Sequence, residues 1–283
     1  MNAHGLFQTF HNNITVSSNR KAILRASRVA LQKRIIEHFK TKPNVSIPKF
    51  YIQGSYKMGT MITAKDGTYD VDLGIYFLQK PTIEPPTLQK WILEAVKGHT
   101  TGGTQHKEKC IRVIYKGDFD IDLPVYYLTE SDKHPYLATK NGWCQSDPKE
   151  LCDWFKLKKD RAGQMIRLVR YFKAWADERA GKMPSGIALT VWVANNFKPN
   201  DRDDVAFLET AKAIKSACSW NVSCKNPATP GDNLVSKLDN TQINNFSDAF
   251  KTLIKDAEQA VNENSVKTAS NIWKKQFGTK FPS

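Results

Sequence analysis

The chain has little cysteine. Its five cysteines, at 110, 144, 152, 218 and 224 of 283 residues, are odd in number and irregularly spaced, and none forms a C-x-x-C pair. Neither a disulfide framework nor a cysteine-based zinc site is indicated, and a reducing cytoplasm is the expected compartment. No apolar run approaches the roughly 20 residues needed to cross a bilayer. The opening MNAHGLFQTFHNNITVSS lacks a basic start followed by an apolar core, so no signal peptide is expected. Internal repeats, low-complexity stretches and an acidic tail are also missing. Acidic residues are outnumbered, 28 against 42 basic ones, which leaves a formal charge of +14. That bias favours polyanionic company, whether nucleotides, nucleic acid or an acidic surface, and does not choose among them. What remains is a composition ordinary for a soluble globular protein, long enough for one large or two modest domains.

The most informative stretch is Gly54 to Asp72, GSYKMGTMITAKDGTYDVD. A β-favouring Tyr51-Ile52-Gln53 precedes it, inside a first strand expected from Ile47 to Gln53. From Tyr69 to Leu78 the pattern alternates. Val71, Leu73, Ile75 and Phe77 point one way, and Asp70, Asp72, Gly74 and Tyr76 the other. The expectation is a strand with one buried face and two carboxylates side by side on the open one. Close carboxylates repel, and a divalent cation turns that repulsion into attraction. Mg²⁺ favours one or two carboxylates completed by waters and substrate phosphates. Gly54 and Ser55 offer what a triphosphate needs opposite such an ion: close backbone approach and one more hydroxyl donor. Taken alone, Asp-X-Asp describes a solvated strand face equally well.

A second acidic strand changes that balance. Cys110 to Tyr115 and Phe119 to Leu128 read as strands joined by a turn at Lys116-Gly117-Asp118. Phe119, Ile121, Leu123 and Val125 face the core, while Asp118, Asp120 and Asp122 share the other face. Pro124 places this strand at an edge or at a bulge. Acids converging from two strands of a small, mostly antiparallel sheet are what a two-metal phosphoryl-transfer site requires.

Helices are expected at 18–41, with Ser17, Ser18 or Asn19 as cap and Leu24, Leu31, Ile35 and Phe39 as a stripe interrupted at Ser27 and Arg28, and at 87–97. A hairpin turning at Asn141-Gly142 follows. From Asp147 onward the chain reads as helical, with segments at 147–155, 161–180, 187–196, 204–219, 241–262 and 265–277. Ser185 caps the helix opened by Pro184-Ser185-Gly186, and a helix N-terminus also suits an anion. A β-rich first half therefore carries the acids, and a helical half follows it.

Gly54-Ser55, then Asp70-X-Asp72, then Asp122 in an IDLP strand resemble the polymerase-β-type nucleotidyltransferases. Lys173 within RYFKAWAD, Ser185 within MPSGIALT and the NPATPGDNL loop resemble the oligoadenylate synthetase and cyclic GMP-AMP synthase branch. The length, and the lack of a mammalian-type zinc insertion, resemble its bacterial members, the CD-NTases of antiphage signalling. The resemblance runs over most of the chain.

It implies an α+β fold: a nucleotidyltransferase sheet lobe with an N-terminal spine helix, residues 1–145, packed against a helical lobe, residues 146–283, with the active site in the cleft. It implies that Asp70, Asp72 and Asp122 are the catalytic, metal-binding acids, with Mg²⁺ as cofactor and Mn²⁺ as its substitute. Asp120 rivals Asp122, and the IDLP context favours Asp122. Gly54 and Ser55 match the triphosphate-binding pair, and Lys173 and Ser185 match positions on the donor phosphates. Cyclic GMP-AMP synthases of the family often carry an aromatic residue beside that serine. Here the neighbour is Gly186, which leaves Tyr76 and Tyr171 as candidates for base stacking.

The implied activity joins NTPs, ATP and/or GTP, into a purine-containing cyclic dinucleotide with release of pyrophosphate. The implied partner is a downstream cyclic-nucleotide receptor, with no membrane involvement. A nucleic-acid activator is left open, and a monomer is expected. Competing readings are a linear oligonucleotide synthetase, an RNA- or protein-modifying nucleotidyltransferase, and a catalytically inert nucleic-acid-binding module.

Overall fold

A computed structural model describes residues 2–218, 222–229 and 231–283. The expected helix end at Ser219, and Pro230 of the NPATPGDNL loop, lie outside the described residues. The chain forms two compact units. One comprises Val16–Met61 and Gly67–Asp153, and the other Met1–Thr15, Ile62–Asp66 and Trp154–Ser283. The sequence suggested one boundary after Gln145. In the structure the later boundary follows Asp153, and the first fifteen residues belong with the helical unit.

The first unit is a mixed sheet covered by helices. Its strands are β1 (Lys49–Gln53), β2 (Tyr69–Phe77), β3 (Thr104–His106), β4 (Ile111–Tyr115), β5 (Phe119–Leu123), β6 (Val125–Tyr127), β7 (Tyr136–Thr139) and β8 (Gly142–Gln145). They run in the order β3-β4-β5-β2-β6-β7-β8, with β1 also paired to β2. Most neighbours are antiparallel. The pairs that matter for the acids, β2 with β5 and β2 with β6, are parallel. Pro124 is not at an edge: β5 lies between β2 and β4. Proline cannot donate to a ladder, so the strand breaks into β5 and β6 there. Its carbonyl still accepts from the Ile75 amide at 2.9 Å, which keeps both pieces beside β2.

Val71, Leu73, Ile75 and Phe77 are fully buried, as are Ile121, Leu123 and Val125. They meet Leu24, Leu31, Ile35 and Phe39 of the helix Ser18–Lys40, and Leu88 and Ile92 of the helix Pro85–Val96, in one apolar core. Ser17 caps the first of these helices by accepting from the Arg20 amide. The polar interruption of its stripe is explained by Arg28, buried with its guanidinium 4.9 Å from the centre of the Tyr56 ring.

The second unit is helical: His4–Ile14, Gln164–Asp177, Gly186–Asn196, Asp203–Ala217, Asn240–Asn262 and Val266–Phe277. The helix Pro148–Lys158 passes from one unit to the other. The opening helix was not anticipated, although Phe7, Phe10 and Ile14 stand at helical spacing and are fully buried. The Phe7 ring lies 4.9 Å from Trp273 and 5.0 Å from Tyr171, both edge-on. Among the described residues, no helix is long and apolar enough to cross a membrane.

Candidate active site

The parallel pairing of β2 with β5 sets Asp70 beside Asp120 and Asp72 beside Asp122 as Cα partners. Side chains alternate along a strand, so these four acids share the sheet face opposite the core. Neighbouring strands stand about 4.8 Å apart, which crowds the carboxylates. Asp70 is exposed at the margin of the group, while Asp72, Asp120 and Asp122 are half-buried. Although open to solvent on one side, the Asp70 carboxyl has its pKa raised. Partial dehydration against the sheet is the main cause, Arg112 offsets part of it, and the charges of Asp122 and Asp120 add to the rise.

The crowding is relieved by Arg112, on β4. Its Nε and Nη2 grip Asp122 at 2.8 and 2.7 Å, its Nη1 reaches Asp120 at 2.8 Å, and Nη2 lies 3.2 Å from Asp70. The hydrogen bonds to Asp122 come first among the causes that raise its pKa, so it stays charged. Lys107 adds a second cation 3.9 Å from Asp122. Cys110 nearby is pushed up to about 12, by burial and then by the Asp122 charge, so it is a neutral thiol. Sequence reading missed Arg112, though a signal was present. Counting equal steps outward from the Lys116–Asp118 turn puts Arg112 opposite Asp122, and the two are Cα partners.

Gly54 abuts the acids. Gln53, at the end of β1, is the Cα partner of Asp72. Gly54 then adopts φ +63°, and a Cβ there would overlap Oδ2 of Asp72 and lie 3.0 Å from its Cγ. Only glycine fits both demands. Gly54-Ser55 opens a short helical turn, Gly54–Met58, where the sequence suggested a loop. Gln53 is locked behind it. Its Nε2 donates to the Tyr126 hydroxyl at 3.0 Å, and its Oε1 accepts from the Tyr76 hydroxyl at 3.2 Å.

That network overturns one expectation. Tyr76 is buried, stacked on Tyr126 with ring centres 4.6 Å apart, so it is not available to a nucleobase. Tyr171 fails too. It is fully buried in the helical unit, with its hydroxyl 3.0 Å from both the Phe7 carbonyl and Asp203.

Lys173 and Ser185 both lie in the helical unit, with the Lys173 side chain next to Gly186. The Ser185 hydroxyl caps the helix Gly186–Asn196 by accepting from the Ala188 amide at 3.2 Å. The Lys173 side chain lies over Gly186, so close that a Cβ there would stand 3.1 Å from Lys173 Cε. A larger side chain at Gly186 would have to push the Lys173 side chain aside.

The acidic face fits hard divalent cations. Its donors are carboxylate oxygens on adjacent strands, and it already draws a guanidinium into their midst. A second group was not foreseen: His134, Asp147 and Glu150 bring ligand atoms within 4.8 Å of one another beside a cavity of about 410 Å³. A charge-assisted contact of the ring with Glu150 at 3.0 Å and Asp147 at 3.3 Å accounts for that arrangement without an ion.

A parallel strand pair carrying one acid row, edged by a glycine-serine turn, defines the polymerase-β-like nucleotidyltransferase fold. Residues 48–126 match the family described as "Cyclic GMP-AMP synthase DncV-like, nucleotidyltransferase domain". A cyclic GMP-AMP synthase from Escherichia albertii is 30% identical over 250 residues, covering 81% of this chain and 54% of the relative. A cyclic AMP-AMP-AMP synthase from Acinetobacter sp. is 24% identical, covering 82% of this chain and 72% of the relative. The chain thus spans about half the length of the first of these curated relatives. The crystal structure of Vibrio cholerae DncV cyclic AMP-GMP synthase, in complex with the linear intermediate 5' pppA(3',5')pG, superposes with a TM-score of 0.85. Its identity is 19%, with 100% of this chain and 97% of the other covered. The chain is thus similar to bacterial cyclic-oligonucleotide synthases in sequence, and it shares the fold of DncV.

Proposed function

We propose that this chain joins nucleoside triphosphates into a cyclic dinucleotide that contains a purine, releasing pyrophosphate, and that the product is a second messenger of antiphage signalling read by a cyclic-nucleotide receptor. The observation that carries the reading is the in-register row of Asp70, Asp72 and Asp122 with Gly54 pressed against Asp72. In the proposed step an acceptor ribose hydroxyl attacks the α-phosphorus of a donor ATP or GTP, and pyrophosphate departs. A second hydroxyl of the linear intermediate then attacks the α-phosphorus of its remaining triphosphate, which closes the ring and releases a second pyrophosphate. Asp70, Asp72 and Asp122 are the metal ligands in this reading, with Mg²⁺ as the natural ion. Divalent ions bound there would supply the charge that acidifies the attacking hydroxyl and neutralises the leaving group. Gly54 and Ser55 donate to the donor triphosphate, and Lys173 and Ser185 contact its phosphates. Arg112 holds Asp122 in the orientation the cluster needs. Positioning and charge neutralisation do most of the work in such transfers. Support for the cyclic product comes from the names of the relatives, both of which are synthases of cyclic oligonucleotides.

The test is incubation of the purified protein with Mg²⁺ and each NTP, alone and mixed, with and without nucleic acid, followed by mass analysis. A phosphatase-resistant product containing a purine is expected, and it should vanish in the Asp70→Ala, Asp72→Ala double variant. A phosphatase-sensitive ladder would replace cyclisation with linear synthesis. Labelling of an added RNA or protein, with no product from NTPs alone, would favour a modifying enzyme. Salt-dependent nucleic-acid binding without turnover would favour the inert module.

A further inference from the structure

Arg112 occupies the position where a cation is required by the acids. The Arg112 and Asp122 side chains are 18% and 16% exposed, so water does little to screen either charge. The guanidinium engages both oxygens of Asp122 in a two-pronged grip. A divalent ion on Asp122 would compete for those oxygens and would also face the guanidinium charge at close range. Asp120 offers a different contact. Its carboxylate takes Nη1 of Arg112 at 2.8 Å, while the other two nitrogens serve Asp122. Asp120 lies directly beside Asp70 and two residues before Asp122, on the same face, so a guanidinium held there stays next to the acids of the metal reading.

We infer that Arg112 is the resident counter-ion of the metal site: it gathers the acids when no metal is bound, and an entering divalent ion displaces it from Asp122 onto Asp120. Asp120 is then not a rival metal ligand but the berth of the guanidinium, and Arg112 is a positioning residue. The inference rests on the proposed role of Asp70, Asp72 and Asp122 as metal ligands. It also implies a preference. A bare dication must enter against the positive charges of Arg112 and Lys107, whereas one arriving with a triphosphate brings negative charge that offsets them. Because such coupling is reciprocal, whatever strengthens the Arg112–Asp122 grip weakens metal binding, and the converse holds.

The experiment measures binding of Mn²⁺, with no nucleotide present, by electron paramagnetic resonance and calorimetry on wild type and Arg112→Met. The variant should bind Mn²⁺ roughly tenfold tighter or more. Its thermal midpoint should be lower without metal and should rise further than that of wild type when Mn²⁺ is added. Equal or weaker Mn²⁺ affinity in the variant overturns the inference. Wild-type crystals soaked in Mn²⁺ give a reading that does not depend on how the variant folds. An anomalous peak at Asp70, Asp72 and Asp122, with Arg112 released from Asp122 and retained by Asp120, is expected. A peak there with the two-pronged grip intact overturns the exchange and leaves the functional reading standing. No peak at the acids at saturating Mn²⁺ overturns the inference, while NTP turnover by the wild-type protein reports separately on the functional reading.

Discussion

A methyl group on Gly54 would collide with the carboxylate of Asp72. The contact joins the glycine of the proposed phosphate-binding turn to an acid of the proposed metal site, so one substitution should disturb both. Gly54→Ala also forces a side chain into φ +63°, a region costly for L-residues. The expected cost is about 1–3 kcal/mol in denaturant unfolding, together with a large loss of turnover. The two causes separate in a double-mutant cycle. In an Asp72→Ala background the stability cost of Gly54→Ala should shrink to the backbone strain alone, about 1–2 kcal/mol.

Asp72→Asn keeps the shape of the side chain and removes a charge from a crowded row. Its Cα partner across the strands is Asp122, so the fold should not miss the charge. Thermal stability without metal is expected to stay within about 0.5 kcal/mol of wild type or to rise. Turnover is expected to fall by about a thousandfold or more, the consequence of losing several kcal/mol of transition-state charge stabilisation. A variant that unfolds as readily as a core deletion would assign Asp72 a structural role.

The helical unit carries a pH-sensitive residue of its own. Arg170 Nη1 donates to Nε2 of His11 at 3.0 Å, which requires a neutral ring. Burial first, and then the charges of Arg170 and Arg167, lower the His11 pKa to about 4, with Asp203 working the other way. An unfolded chain has the ordinary value of about 6.5. Between those values the unfolded state takes up a proton that the folded state refuses, so stability rises with pH there. The contribution is complete above about 6.5 and fades as pH falls toward 4. Thermal midpoints should decline on acidification through that window, and less steeply in His11→Gln. An NMR titration of His11 with a midpoint near 6.5 would remove the effect.

How far the sequence carried these conclusions depended on what each segment buries. The alternation of β2 was readable because Val71, Leu73, Ile75 and Phe77 all enter one core. The same alternation placed Tyr76 on an open face, and it is not open: Gln53 and Tyr126 close over it, a long-range contact that no local pattern announces. Pro124 pointed to an edge or a bulge, and the structure removes the edge, because strand order is set by parallel pairing with β2, remote in sequence. Arg112 was legible in principle from hairpin register, yet a single arginine in a strand does not reveal that it is bound to three acids. The opening helix was passed over because its start offers no side-chain cap, although its Phe7, Phe10 and Ile14 spacing was present. Clustering of the acids could be expected from sequence; the cation that holds them together required the fold.

Asp203 makes the helical unit testable on its own. Its carboxylate is fully buried, and it is surrounded by donors: Arg167 Nε at 2.7 Å and Nη2 at 2.8 Å, Gln164 Nε2 at 2.8 Å and the Tyr171 hydroxyl at 3.0 Å. Burial works to raise its pKa, but the hydrogen bonds from Arg167 and Gln164, the Arg167 charge and the Tyr171 hydroxyl together hold it below the ordinary carboxylate range. A depressed carboxyl stabilises the fold above its unfolded value, and that contribution is lost as pH falls through the folded one. The Asp203 window therefore lies below about 4, under that of His11, so the two slopes are distinguishable in one acid titration. Asp203→Asn should cost about 3–5 kcal/mol at neutral pH, since it leaves Arg167 without its counter-charge. Pairing Arg167→Met with Asp203→Leu removes both charges at once and should cost less than the two single changes added together, as measured by urea unfolding. If the double variant instead loses the full sum, the guanidinium and carboxylate act independently, and the stability of this unit must come from its aromatic packing alone.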